Sequence, residues 1–207
     1  IPAIITACEI TGADAVHPGY GFLSENASFA QIVEDHSITF IGPSSEHIKM
    51  MGDKITAKKT MFELGVPCVP GSNGSTDTLE EALESAKKIT YPVIIKATAG
   101  GGGRGMKVAT SSDELRKNYH TTKLEAKNAF GNDQVYIEKY LSLPRHIEIQ
   151  IMGDGNGNAL YLGERDCSLQ RRHQKLLEEA PSPVLNHKTR QNIGSICAKA
   201  MAKIKYS

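Results

Sequence analysis

Tyr91-Pro-Val-Ile-Ile-Lys96-Ala-Thr-Ala-Gly100-Gly-Gly-Gly-Arg104-Gly105-Met-Lys107-Val108 reads as a strand that ends on a lysine, a glycine loop and a second strand. The lysine sets a fixed positive charge at a strand end. The glycines carry no Cβ to keep backbone N–H groups away from an anion. Together they suggest a cover for nucleotide phosphates. Flexible linkers and hairpin turns contain glycine clusters too, so the loop by itself leaves both readings open.

Around this stretch the chain reads as alternating helices and strands. Thr78 with Glu81, and Ser111 with Glu114, form capping-box patterns, predicting a helix on either side of the glycine loop, the second running towards Lys127. Val135-Tyr-Ile-Glu-Lys-Tyr-Leu141 is predicted as a further strand, making 68–141 a compact α+β unit. Upstream, residues 1–41 read as helix, strand, loop, helix, strand, the pattern of an open parallel α/β domain. Its loop His17-Pro-Gly-Tyr-Gly-Phe-Leu-Ser24 follows a strand end, where ligands gather in such sheets. Residues 42–67 read as a helical connector, with Asp53 as N-cap and Gly65 closing a helix. Residues 142–207 open another sheet. Arg145-His-Ile-Glu-Ile-Gln-Ile151 alternates, Gly153-Asp-Gly-Asn-Gly157 is a hairpin turn, and Ala159-Leu-Tyr-Leu162 is its partner strand.

A chain of 207 residues is long enough to bury a core in one or two domains. Its net charge of +1 argues for neither nucleic acid nor an anionic membrane as partner. No apolar run approaches a bilayer span and no signal or transit peptide is visible. Cys8, Cys68, Cys167 and Cys197 are scattered without metal-ligand spacing, which fits reduced thiols and a cytoplasmic protein.

Two further segments are candidates for chemistry. In strand 145–151, His146, Glu148 and Gln150 share one face and three isoleucines the other. The polar face is either solvated or the lining of a cleft. Glu164-Arg-Asp-Cys-Ser-Leu-Gln-Arg-Arg-His-Gln-Lys175 concentrates cations after a strand. It is either a solvated loop or a holder of an anionic substrate or phosphate. Lys54 and His173, each read alone, are a surface helix residue and a structural histidine.

Taken in order, His17 through Asn26, Met51-Gly-Asp-Lys54, Lys96 with the glycine loop to Met106, Glu138-Lys-Tyr-Leu141, Pro144 through Gln150 and Glu164 through Pro181 closely resemble the biotin carboxylase component of biotin-dependent carboxylases. The resemblance covers the whole chain. It implies an ATP-grasp fold preceded by part of an open parallel-sheet α/β domain, truncated at both ends. It further implies that 68–141 is the lid subdomain and 142–207 the start of the C-terminal ATP-grasp subdomain. The implied reaction uses ATP and Mg²⁺ (or Mn²⁺) to activate bicarbonate to carboxyphosphate, then carboxylates biotin on a carrier protein. Lys54 and Lys96 would contact phosphates, and Gly102 and Gly103 would donate lid N–H groups. Met106 and the connector Glu138, Lys139, Tyr140 and Leu141 would hold the nucleotide, with the connector reading the adenine. His146, Gln170 and His173 would line the nucleotide and ribose side, Lys175 would hold bicarbonate, and Tyr20 and Gly21 would lie near biotin.

Both ends read as cuts through a longer polypeptide. The family's metal-binding acidic pair, catalytic arginine and general-base glutamate are expected beyond Ser207, so no metal ligand is assigned here and the fragment is expected to be inactive alone. The Glu178-Glu179-Ala180-Pro181-Ser-Pro stretch looks most like the bacterial acetyl-CoA carboxylase subunit of fatty-acid synthesis. That likeness implies a biotin carboxyl carrier protein, a carboxyltransferase component and a homodimer. The alternatives are the same domain of a propionyl-CoA, methylcrotonyl-CoA or pyruvate carboxylase, another ATP-grasp ligase such as a carbamoyl phosphate synthetase, or a nucleotide-binding module without turnover.

Overall fold

The computed structural model describes residues 1–99, 105–171 and 174–207. Residues 1–41 form α1 (Pro2–Thr11), β1 (Ala15–Val16), a 3₁₀ turn (Phe22–Glu25), α2 (Ala27–Asp35) and β2 (Thr39–Phe40). Pro2 opens α1 where a missing N–H costs nothing. The Asn26 side chain caps α2 by accepting from Phe29 N. β1 and β2 pair in parallel, Ala15 with Thr39 and Val16 with Phe40, as the alternation of helix and strand leads one to expect. Their core is Ile5, Cys8, Phe29, Ala30, Val33, Ile38 and Phe40, with Phe29 and Phe40 edge to face at 5.9 Å.

Two helices follow, α3 (Ser45–Gly52) and α4 (Lys54–Glu63). Ser44 caps the first and Asp53 the second, the latter accepting from Thr56 N at 2.7 Å. This cap sets where α4 begins, and so places Lys54 on its first turn. Gly65 then takes φ 85°, a left-handed conformation open to glycine at little cost, and ends the helix.

The next unit comprises α5 (Leu79–Ile89), β3 (Val93–Ala97), β4 (Met106–Ala109), α6 (Ser112–Phe130) and β5 (Val135–Lys139). The strands form an antiparallel sheet in the order β4-β3-β5. Thr78 and Glu81 make the full capping box expected at α5. At α6 only half of the predicted box forms. Ser111 accepts from Glu114 N, but the Glu114 carboxylate binds the Thr110 N–H and hydroxyl. Strand β5 stops at Lys139, two residues earlier than its sequence suggests: Tyr140 still donates to the opposite Pro92 O at 3.1 Å, but proline has no N–H to return the second ladder bond. Val93, Ile95, Val135 and Ile137 share the face that packs with Ala82, Ala86, Leu115 and Tyr119 of the two helices. Period-two geometry therefore puts Lys96, Met106, Tyr136 and Glu138 together on the other face, with Lys96 in register with both Met106 and Tyr136.

The final unit is β6 (Ile147–Gly153), β7 (Ala159–Arg171), β8 (Gln174–Glu179) and α7 (His187–Lys203). Its sheet is antiparallel in the order β6-β7-β8. The partner strand of the hairpin, expected to end near Leu162, runs on to Arg171. Most of the charge-rich segment is therefore strand rather than solvated loop. Cross-strand pairing explains this: Glu148 lies opposite Arg165, and Gln170 opposite Lys175, so opposite or complementary groups meet directly. The alternation in β6 is interrupted by a register shift between Ile149 and Ile151. Helix α7 lies on the isoleucine side, close enough that Gly194 meets the Tyr161 ring. A buried polar knot fastens that side: Arg190 Nε donates to both Glu164 oxygens at 2.7 and 2.9 Å, and Ser182 donates to Glu164 and Asp166. Among the described residues, no helix is long and apolar enough to cross a membrane.

Candidate functional site

The outward face of the β4-β3-β5 sheet carries a compact charge cluster. Lys96 Nζ lies 2.6 Å from Glu138 Oε2, and Lys58 Nζ, arriving from α4, lies 2.8 Å from Oε1. Burial opposes the charge on Glu138, but the bonds from the two lysines outweigh it and hold the carboxyl below its usual range. Lys54 stands one turn before Lys58. Burial, reinforced by the charge of Lys96 and opposed by Glu138, pushes its ammonium pKa down. Lys54, Lys58, Ser72 and Tyr136 help line a cavity of about 510 Å³ between α4 and the segment leading into the sheet. Burial and the nearby Glu138 charge push the Tyr136 phenol up to about 12, so it stays neutral at any ordinary pH.

A second cluster occupies the polar face of β6 and β7. Arg165 donates to Glu148 from Nε at 2.6 Å and to Gln150 Oε1 at 2.9 Å, while Lys175 binds the other oxygen of Glu148. Partial burial works against the charge on Glu148, yet these two cations hold its carboxyl at about 2. The Glu148 hydrogen bond raises the Lys175 ammonium pKa against the opposing effect of burial. Beside it, Gln170 Nε2 lies 2.7 Å from His146 Nδ1, and the two residues help line a cavity of about 400 Å³. The Ser168 hydroxyl accepts from His146 N and donates to the buried Asp166, which ties this histidine to the polar knot behind the sheet.

The structure thus brings together Lys54, Lys96 and Glu138 in one cluster, and His146, Gln170 and Lys175 in another. Met106 is half-buried beside Lys96. Lys139 turns away: its Nζ donates to the Thr90 and Tyr91 carbonyls at 3.1 and 3.0 Å, and its backbone N–H to Pro70 O. Tyr140 is half-buried, Leu141 exposed, and Tyr20 84% exposed, with Gly21 at φ 66° shaping the turn behind it. Gly102, Gly103 and His173 lie outside the described residues. Sequence reasoning passed over Lys58 and gave Glu148 and Arg165 only as members of candidate segments, without a role of their own. Lys58 carried a signal, since it lies four residues after Lys54 on the same helix face. Glu148 and Arg165 become partners only through strand register.

The residues that best fit a metal ion, among those described, are Glu148, Cys167 and Glu178, whose ligand atoms lie within 4.8 Å of one another. They make a poor magnesium site. Glu148 is already neutralised by Arg165 and Lys175, and burial pushes the Cys167 thiol up.

Residues 1–48 match the family model described as the biotin carboxylase N-terminal domain, and residues 53–207 that of the carbamoyl-phosphate synthase L chain ATP-binding domain. The chain is 59% identical over 207 residues to a biotin carboxylase of Haemophilus influenzae, a match covering 100% of this chain and 46% of that relative. Among solved structures, a Campylobacter jejuni biotin carboxylase in complex with β-γ-ATP aligns with a TM-score of 0.90 and 52% identity, over 100% of this chain and 46% of that one. The biotin carboxylase domain dimer of Hydrogenobacter thermophilus 2-oxoglutarate carboxylase, in complex with MgADP, ADP and bicarbonate, aligns with a TM-score of 0.88 and 49% identity, over 99% and 45%. The chain spans about half the length of the relatives it matches.

Proposed function

Because the chain belongs to the biotin carboxylase family of ATP-grasp enzymes, we propose that it contributes the phosphate-facing and bicarbonate-facing parts of an ATP-dependent biotin carboxylase. ATP and Mg²⁺ would convert bicarbonate to carboxyphosphate, and the carboxyl group would pass to biotin. The observation that carries this reading is the cluster of Lys54, Lys58 and Lys96 around one carboxylate, in a chain more than half identical over its whole length to a biotin carboxylase. Lys58 and Lys96 share one carboxylate, with Lys54 one turn before Lys58 on the same cavity, and a locally cationic lining of this kind suits a polyphosphate. The relatives solved with β-γ-ATP, and with MgADP and bicarbonate, support these ligands.

Each residue then has a stated task. Lys54 and Lys96 hold the phosphates, and Gly102 and Gly103 donate N–H groups over them. Met106 and the connector Glu138–Leu141 bind the base, the connector through its backbone where the Lys139 side chain has turned aside. His146, Gln170 and His173 line the ribose side. Lys175 holds bicarbonate. Its ammonium has three donors, and Glu148 uses one of them, so an incoming anion shares the cation rather than displacing its partner. Tyr20 and Gly21 border the biotin position, in a loop at a strand end where ligands gather in open α/β sheets. No step is assigned to a metal ion held by these residues.

We assign the whole enzyme to acetyl-CoA carboxylase in fatty-acid synthesis, in the cytoplasm, as a homodimer that serves a biotin carboxyl carrier protein and a carboxyltransferase. The Glu178–Pro183 stretch and the likeness to a protein named biotin carboxylase support this. The test is phosphate release from ATP by the full-length polypeptide, with bicarbonate, with and without free biotin. Stimulation by biotin is expected. ATP hydrolysis indifferent to biotin would sink the carboxylase reading and favour another ATP-grasp ligase.

A further inference from the structure

We propose that Lys58 is a positioning residue for the nucleotide phosphates, acting by sharing the Glu138 carboxylate with Lys96. The inference rests on the phosphate-binding reading above. Each Glu138 oxygen has its own lysine, Oε1 with Lys58 at 2.8 Å and Oε2 with Lys96 at 2.6 Å. The carboxylate side chain is 13% exposed, so water cannot readily replace a lost partner. Without Lys58, the freed oxygen turns to Lys96, the other lysine on this carboxylate. Lys96 is then held by both oxygens and less available to a ligand. Lys58 thus keeps Lys96 engaged through one oxygen only.

The position of Lys58 is built into the backbone around it. A Cβ on Gly71 would stand 2.7 Å from Lys58 Nζ and 2.9 Å from Ile137 O, so the ammonium occupies room that any other residue at 71 would fill. Gly71 also bridges to Glu138 across the sheet edge. The ammonium, the carboxylate and the missing side chain therefore form one fitted arrangement between α4 and β5. Lys58 and Glu138 lie 80 residues apart in the chain, so helical neighbourhood does not account for the contact.

The experiment measures binding of ATP and of adenosine to the full-length polypeptide, for wild type, Lys58→Met, Lys58→Arg, Glu138→Gln and the Lys58→Met/Glu138→Gln double variant. Lys58→Met is expected to weaken ATP by roughly three- to tenfold, the range for a partly exposed charged contact, and adenosine by less than about twofold. Lys58→Arg should restore ATP binding. In the Glu138→Gln background the Lys58→Met change should add nothing, because the carboxylate through which it acts is gone. Unchanged ATP affinity in Lys58→Met, equal weakening of ATP and adenosine, or independent effects in the double variant would each overturn the proposal. Wild-type protein that binds no ATP would remove the nucleotide reading as well, whereas wild-type binding with an unaltered Lys58→Met would sink the proposal alone.

Discussion

Glu148 sets the acid behaviour of the candidate bicarbonate face. Its carboxyl, held at about 2 against the usual 4.5, binds a proton more readily in the unfolded chain than in the folded one. Its contribution to stability is thus fully present above about pH 4.5 and is lost as the pH falls towards 2. Glu148→Gln should flatten that limb of the stability-against-pH curve, measured by denaturant unfolding at several acid pH values. An unchanged acid limb would mean that Lys175 and Arg165 do not hold this carboxylate in solution. At this scale the sequence was partly legible. The strand alternation put His146, Glu148 and Gln150 on one side, but a polar strand face reads the same whether it meets water or a partner strand.

Caps and turns were the most readable elements because their physics is local. Asp53 and Thr78 satisfy N–H groups three residues away, and no distant contact is needed to specify them. The half-formed box at α6 shows the limit of such readings, since Thr110 competes for Glu114 with two donors of its own. Helix α7 offers a sharper test of packing. Gly194 is buried in the helix, and an added Cβ would stand 2.5 Å from the Tyr161 ring. Helix propensity alone favours alanine here by about 1 kcal/mol. Overpacking against the ring should outweigh it, so Gly194→Ala should destabilise the protein by roughly 1–3 kcal/mol in denaturant unfolding. A stabilised variant would show that α7 shifts freely on the sheet.

At the scale of the whole molecule, two apolar cores among the described residues share no residue: one lies under the β1-β2 pair, the other between the β4-β3-β5 sheet and helices α5 and α6. Leu115 is fully buried in the second. Leu115→Ala should cost about 2–5 kcal/mol there. Hydrogen exchange should quicken in β3, β4 and β5 while the amides of α2 stay protected; uniform loss of protection would mean that the two cores unfold as one. The sequence by itself determined the order of helices and strands as far as Leu162, the caps of α4 and α5, the two faces of β6 and the family motifs, because these depend on neighbours a few residues apart and on the period of each element. Only the tertiary structure decided that Lys58 and Lys96 meet on Glu138, that Arg165 and Lys175 meet on Glu148, and that a charge-rich stretch becomes two paired strands. The physical reason is that a charged side chain takes its partner from whatever the fold brings within about 4 Å, and residues 27 and 80 positions apart are brought that close only by strand register and helix packing.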